Sequence, residues 1–511
     1  MAAGSFFLDG KYYVEYNIRY KFFGWLVQFM EKVSDILKKI MLGILLGIIL
    51  LAVALVLHEG LSSPSYLAAL IVGAVWAACL LLLMRRREKH GKAPLFEPVS
   101  TKKLALAIAV FCFVINLVWV LVIRIQPFSD YDKYWQVAIS LATGREIEDA
   151  WYIAMYPHIL GTASFLSLFV RLFGESVLMV SVLNVLLTTL SGLLIFFICL
   201  EFSDKQTAAA ASLFWAVCPC KLMLNSLVFS EPLYTCLILL LVLMFMQLHR
   251  GISGDKKEWW MCIVEGSLLG FLLQCINIVR PIAGILIIAL FIWLIMLRGD
   301  ELKNPSLWKS WFFVFAPLLF IYSAAGNIWT SHVAHVVGME PAAVPIYNIY
   351  VGFNESTQGQ WSPEDMDLLF SYMSQPGVTP SMAQESLLPV LKERLASGID
   401  FGRLFSSKLI AFMGNDELGG YTYRFTHPEL FVKLNMVICN VFYYGILLLA
   451  VYGLCRIFRD RLRSSALLMP LYVLGLTLAH MMVEVANRYH YSIIPMLIIF
   501  AALAFSRREK T

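Results

Sequence analysis

The octapeptide FSDYDKYW, residues 128–135, sets two carboxylates, Asp130 and Asp132, just past an apolar run that closes at Arg124-Ile125-Gln126-Pro127. Charged groups at a bilayer edge are costly unless solvated, paired or lining a polar cavity, so acids there point first to function. Either carboxylate is suited to take a proton from a hydroxyl, and a pair is also suited to a divalent cation, which prefers oxygen ligands. Two positions apart, they diverge on a helix and converge only on extended backbone, and a solvated loop acid is the plain alternative for each. Further chemistry-bearing groups stand at the ends of other apolar runs: Lys221, Glu231, Arg280, Arg488 and His490. A guanidinium fork matches phosphate oxygens, which makes Arg280 and Arg488, joined by Lys221, candidates for an anion clamp. Glu231, Tyr134 and His490 complete the candidate binding set. Plainer roles stand beside these. Glu231 precedes Pro232 and suits a helix start. Arg280, in the Arg280-Pro281 break, suits a snorkelling interface residue. Glu484 and Arg488, four apart in EVANRYHY, suit an intrahelical pair, and His490 suits a structural role better than that of a base. Pro127 ends the preceding helix, while Phe128, Tyr131, Tyr134 and Trp135 form an aromatic belt able to stack on a sugar or to anchor the chain at an interface.

The elements that must position these groups are membrane helices. Of the 511 residues, 59% are hydrophobic and 15% charged, with a mean hydropathy of +0.73, which excludes an ordinary soluble domain. The formal net charge of +5 does not point to nucleic acid, because the basic residues cluster at the ends of apolar runs, where they set orientation. Runs of about 20 apolar residues match a hydrocarbon core of about 30 Å. Twelve such spans are expected, near 40–58, 65–84, 103–125, 176–199, 207–222, 229–248, 259–278, 282–297, 310–329, 436–455, 464–482 and 490–506. This count puts RRREKHGK (85–92), HRGISGDKK (249–257), Arg298/Lys303/Lys309, RIFRDRLR (456–463) and the terminal RREK on one side, with both termini cytoplasmic. The apolar stretch 157–174 is kept as a juxtamembrane helix on the outer face, since a crossing there would invert every later basic loop. The candidate residues then emerge together on the outer face of a plasma membrane.

Four divisions follow: 1–102, a cytoplasmic amphipathic segment with two accessory spans; 103–329, a membrane core with an outer loop at 126–175; 330–435, a small exoplasmic domain; and 436–511, the last spans. YKFFGWLVQFMEKVSDILKKI near the start suits an interfacial amphipathic helix rather than a removable leader. Within 330–435, Ser362-Pro363-Glu364-Asp365 reads as an N-cap, a first-turn proline and first-turn acids, with further helices expected at 383–398 and 402–413. Asn354-Glu355-Ser356 matches a glycan-acceptor sequon. The ten cysteines lie in or beside apolar runs with neither zinc-ligand nor redox spacing, so no disulfide framework and no metal site follows from them.

Through SDYDKYW, YPHILGTASFLSLFVRLFGES, FSEPLY (229–234), IVRP (278–281), GFNESTQGQWSPED (352–365) and NRYHYSIIP (487–495), residues 103–506 resemble the type C (GT-C) glycosyltransferase superfamily. The likeness is to its bacterial branch akin to protein mannosyltransferases and the lipid A aminoarabinose transferase, family 39. Several relatives carry adjacent Asp-Glu where Tyr131 separates Asp130 from Asp132 here. The resemblance implies an all-α bundle and an inverting transfer of a sugar from a polyprenyl-phosphate donor to a glycan, lipid or protein acceptor. It implies an aspartate base, and it requires no metal. A transporter or flippase of lipid-linked saccharides would use the same cationic pocket and apolar groove, but would carry charges along its helix interiors. A polymerase or ligase of lipid-linked glycans differs only in a longer donor.

Overall fold

The computed structural model describes residues 10–60, 63–254, 257–296, 305–459 and 464–506. Every regular element among them is helical. The chain opens with α1 (Gly10–Gly60), α2 (Pro64–Lys89) and α3 (Thr101–Val122), then turns into α4 (Asp130–Thr143), α5 (Ala150–Met155) and α6 (His158–Phe173). Next come α7 (Val177–Phe202), α8 (Lys205–Ala216), α9 (Pro219–Leu224), α10 (Glu231–Ser253), α11 (Trp259–Val279), α12 (Ala283–Met296) and α13 (Pro305–Val337). A segment of short helices follows: α14 (Ile346–Gly352), α15 (Pro363–Met373), α16 (Pro380–Ser386), α17 (Leu388–Ala396), α18 (Phe401–Leu409) and α19 (Leu418–Tyr421). The chain returns through α20 (Glu429–Arg459), α21 (Leu468–Met482) and α22 (Ile494–Ala502).

Among the described residues, ten helices are long and apolar enough to cross a membrane, including Lys32–Glu59 of α1, Leu307–Val337 of α13 and the unit Asn487–Phe505 that includes α22. Two of the twelve expected spans differ. The run 207–222 is broken into α8 and α9, because Pro219 cannot continue a helix and holds Cys218 in extended backbone, φ −63° and ψ 109°. Of the run 282–297, the described residues form α12, 14 residues long up to Met296, against the roughly 20 a span needs. The expected interfacial helix is not separate from the first span: α1 runs unbroken for 51 residues, roughly 75 Å at 1.5 Å per residue. Of the basic residues that carried the expected orientation, Arg298, Lys303, residues 460–463 and the terminal RREK lie outside the described residues, as do Asp255 and Lys256.

Three cores hold the molecule together. The largest joins α1 to α3 with α7 to α13 and α20 to α22. A second packs α4 and α6 on the start of α7 and the end of α13, through Trp135, Leu160, Ala163, Val180 and Val333. The third belongs to the short helices, with Tyr347, Val351, Leu369, Leu387 and Leu404 gathered around Met155 of α5. There Ser362 caps α15 by accepting from the Asp365 amide at 3.1 Å, as its sequence requires. Arg394 locks that core with a fork onto Asp365, at 2.8 and 3.3 Å, and donates to the Tyr350 carbonyl at 2.7 Å.

Candidate active site

The first acid is presented by a strained entry. Ser129 holds φ 51° and ψ −133°, a region that costs a non-glycine residue about 1–3 kcal/mol and that clusters at functional sites. Helix begins at the next residue, so Asp130 and Asp132 lie on a helical first turn and diverge. Asp130 shares a face with Tyr134, and its Oδ2 accepts from Nη2 of Arg488 at 2.6 Å. Asp132 points elsewhere, accepting from Nε2 of Gln136 one turn along at 3.1 Å. Tyr131, Tyr134 and Trp135 are buried, so the aromatic belt is the packed side of α4, set partly against α6.

Arg488 stands in the tight 3-10 segment Asn487–Ile493 that opens the last membrane unit. Its guanidinium lies over the rings of Tyr489 at 5.5 Å and Tyr131 at 5.8 Å. Arg280 occupies the extended break between α11 and α12, φ −151° and ψ 126°, and its guanidinium lies 4.6 Å from the Tyr489 ring centre. One tyrosine ring thus sits against both arginines, each contact a cation–π attraction. Among the described residues Arg280 makes no ion pair, whereas Arg488 makes one with Asp130. Glu231, at the first turn of α10, is buried, and Ser230 Oγ donates to it at 3.2 Å. Its charge reaches both Tyr134 and Arg280.

Burial by itself would raise the pKa of Asp130; the Arg488 guanidinium, helped by His158 and Arg280, outweighs it and holds the carboxyl below its ordinary 3.8. Glu484 behaves oppositely. Its burial dominates and raises it, although Tyr489 donates to Oε1 at 3.0 Å.

Lys221 and His490, expected beside the arginines, are held elsewhere. Both are buried, and both contact Oδ1 of Asp416: Lys221 Nζ at 3.0 Å and His490 Nε2 at 2.9 Å. The other ring nitrogen of His490 lies 2.5 Å from the Phe412 carbonyl, and the Lys221 ammonium lies 4.4 Å from the Tyr491 ring centre. Burial raises the Asp416 carboxyl, but Lys221 and His490 more than compensate and hold it at about 2. Asp416 and Tyr489 carry no mark of their own in the sequence: Tyr489 sits unremarked within NRYHYSIIP, and nothing local distinguishes Asp416 in GNDELGG from a loop acid.

The segment of short helices closes over the turn that carries Arg488. Glu484 N donates to Asn348 O at 2.7 Å and Val485 N to Gly359 O at 2.9 Å. Lys408, buried on α18, donates to Gly352 O at 2.7 Å and to Val483 O at 2.8 Å. Burial lowers its ammonium to about 8, opposed by Glu484. Asn354 of the sequon is committed internally: its amide donates to Asp365 at 2.8 Å, and its oxygen accepts from Ser356 Oγ at 2.7 Å. Among the described residues no three His, Cys, Asp or Glu side chains gather as a metal would need, and the divergence of Asp130 from Asp132 leaves the paired-acid cation site unformed.

Fold and site together define a polytopic helical membrane protein with an acid and two guanidiniums gathered at its helix ends. A family model described as dolichyl-phosphate-mannose-protein mannosyltransferase matches residues 158–329. The matched stretch contains Lys221, Glu231 and Arg280 and stops short of Asp130 and Arg488 on either side. Among solved structures, the oligosaccharyltransferase AglB from Archaeoglobus fulgidus, in complex with an inhibitory peptide and a dolichol-phosphate, is similar with 12% identity and a TM-score of 0.41, over 80% of this chain and 50% of that one. The chain therefore spans about half the length of that protein. ArnT from Cupriavidus metallidurans, bound to undecaprenyl phosphate, is similar with 10% identity and a TM-score of 0.32, over 76% of this chain and 77% of that one. Similarities this distant carry no argument about chemistry. No curated protein matches the sequence.

Proposed function

We propose that the chain transfers a sugar from a polyprenyl-phosphate donor to a hydroxyl-bearing acceptor at the outer face of the membrane, with inversion. The observation that carries this reading is the meeting of Asp130, Arg488 and Arg280 around Tyr489. Asp130 and Arg488 alone are 358 residues apart in the chain, so the cluster is built by the fold. Asp130 takes the acceptor's proton while the acceptor oxygen bonds to the anomeric carbon. The bond from that carbon to the phosphate oxygen breaks, and its electron pair leaves with the lipid phosphate. Arg280 and Arg488 stabilise that charge as it develops, the kind of interaction worth most in a site shielded from water. The donor class is also the one named in the description of the matching family. Residues 103–329 serve as the membrane core, and 330–435, pinned by Lys408 and the 348–359 backbone to the turn before Arg488, caps the cleft and helps choose the acceptor.

The test is turnover of labelled polyprenyl-phosphate sugars by the full chain in lipid. Asp130→Asn is expected to lose about 10²–10⁴-fold, the usual weight of a positioned base. Asp132→Asn, whose carboxylate among the described residues accepts a side-chain hydrogen bond only from Gln136, keeps most activity. Unchanged turnover in Asp130→Asn overturns the assignment of the base.

A further inference from the structure

At the opposite end of the bundle lies a polar cavity, of about 310 Å³, that the proposed chemistry does not use. It sits where α2, α20 and the last membrane unit finish and where the chain turns from α2 toward α3. The last unit opens at Arg488 and closes beyond Phe505, and α3 alone is roughly 33 Å long at 22 residues. The cavity is therefore a membrane thickness from Asp130. Among the described residues, Arg85, Arg87, Lys92 and Arg456 line it against one acid, Glu88.

The arginines are arrayed rather than neutralised. Arg85 donates to the Tyr452 hydroxyl and lies 5.1 Å from that ring's centre. Arg87 donates to the Ala93 carbonyl at 3.3 Å, and Arg456 to the Ala504 and Ser506 carbonyls at 2.8 and 2.6 Å. These bonds orient the guanidiniums on neutral partners and use one or two of the five donors each carries. Among the described residues, none of the three forms an ion pair with a carboxylate. Guanidiniums fixed this way, with forks still available, match the planar and bidentate demands of a phosphate.

The rest of the lining says how the phosphate arrives. Leu81, Met84 and Phe505 form apolar wall, and Leu82 and Leu83, on the same turns of α2, are 64% and 61% exposed. An anion entering here is flanked by a surface made for acyl chains. We infer that this cavity is a binding site for the phosphate headgroup of an anionic phospholipid, in the leaflet opposite the Asp130 cluster. Basic pockets between membrane helices take such headgroups by charge and hydrogen bonding together.

The test titrates full-length protein in neutral detergent with short-chain phosphatidylglycerol, short-chain phosphatidylcholine or inorganic phosphate, following the thermal transition, since a ligand of the folded state raises it. Phosphatidylglycerol is expected to stabilise the wild type and Lys102→Gln alike, Lys102 being a nearby surface cation outside the cavity. Arg85→Gln/Arg87→Gln is expected to need at least about tenfold more lipid for the same shift, and phosphatidylcholine to give none. If the double variant is not monodisperse, Arg87→Gln, which gives up only one bond to a backbone carbonyl, serves in its place. A response in the variant equal to wild type overturns the site. Inorganic phosphate reproducing the full shift and competing with phosphatidylglycerol overturns the lipid as its source.

Discussion

Ionisation of Asp130 is decided by a contest between burial, which raises its pKa, and Arg488, which lowers it and prevails. A carboxyl whose folded pKa is depressed stays charged as pH falls through the ordinary carboxylate range, so a base at this position remains competent well below neutrality. Its acid limb in a pH–rate profile is therefore expected below about 3.9, the unperturbed value. In Arg488→Gln the largest lowering influence is gone, and burial is opposed only by His158 and Arg280. The limb should move up, and turnover should fall by about 10²-fold or more through loss of a phosphate donor. Single-turnover rates across pH measure both, and an unmoved limb would show that Arg488 does not set the ionisation of Asp130. At this scale part of the site was legible in the sequence: acids and guanidiniums at membrane edges are costly, so Asp130, Arg280 and Arg488 stand out. Their partners were not legible. Nothing in EVANRYHY says that Arg488 turns to Asp130 while His490, two residues on, turns to Asp416, because a 3-10 turn spreads neighbours around its axis.

Helices set how far apart these groups sit, and the closest control is a glycine. Gly161 of α6 faces the backbone of Ile278 near the end of α11, and a Cβ there would run into the Ile278 carbonyl well inside contact distance. Ile278 lies two residues before Arg280. Gly161→Ala therefore has to push α6 away from α11 or displace the break that carries the guanidinium, and overpacking of this kind costs about 1–3 kcal/mol. The expected outcome is a lower melting temperature together with a raised KM for the lipid-linked donor. Gly284→Ala in α12, where an added Cβ meets nothing within 4 Å, is the control and should leave both unchanged. Hydrophobic runs made most helices readable, and the Ser362 cap was readable to the residue. The departures at 207–222 and at the start of α1 share one cause, which is that hydropathy counts apolar residues but not backbone continuity. Pro219 splits an apolar run into α8 and α9, and polar residues near 30–39 do not stop α1 from continuing as one helix.

Across the whole molecule, three remote parts of the chain are joined by one carboxylate. Lys221 follows the α8–α9 break, Asp416 lies between α18 and α19 in the segment of short helices, and His490 opens the last membrane unit; Lys221 and Asp416 are 195 residues apart. No local pattern in the sequence announces such a pairing. Energetically the network is asymmetric. A buried pair contributes little net stability over a well-packed apolar substitute, but removing one member strands the other charge and costs about 3–5 kcal/mol. Asp416→Asn should accordingly melt far lower than wild type, because the Lys221 ammonium loses its counter-charge in a fully buried position. Lys221→Met combined with Asp416→Asn should recover much of that loss, a non-additivity expected only of groups in direct contact. The pH dependence follows with its own sign. Asp416 is held at about 2 in the folded chain against about 3.9 unfolded, so its contribution is complete above the higher value and is lost as pH falls toward the lower one. Wild type should lose melting temperature between roughly pH 4 and pH 2, while the double variant, lacking the carboxylate, lacks that part of the acid sensitivity. Thermal melts of the three proteins at neutral and acid pH decide the matter: Asp416→Asn melting with wild type would mean that the network does not tie these segments together.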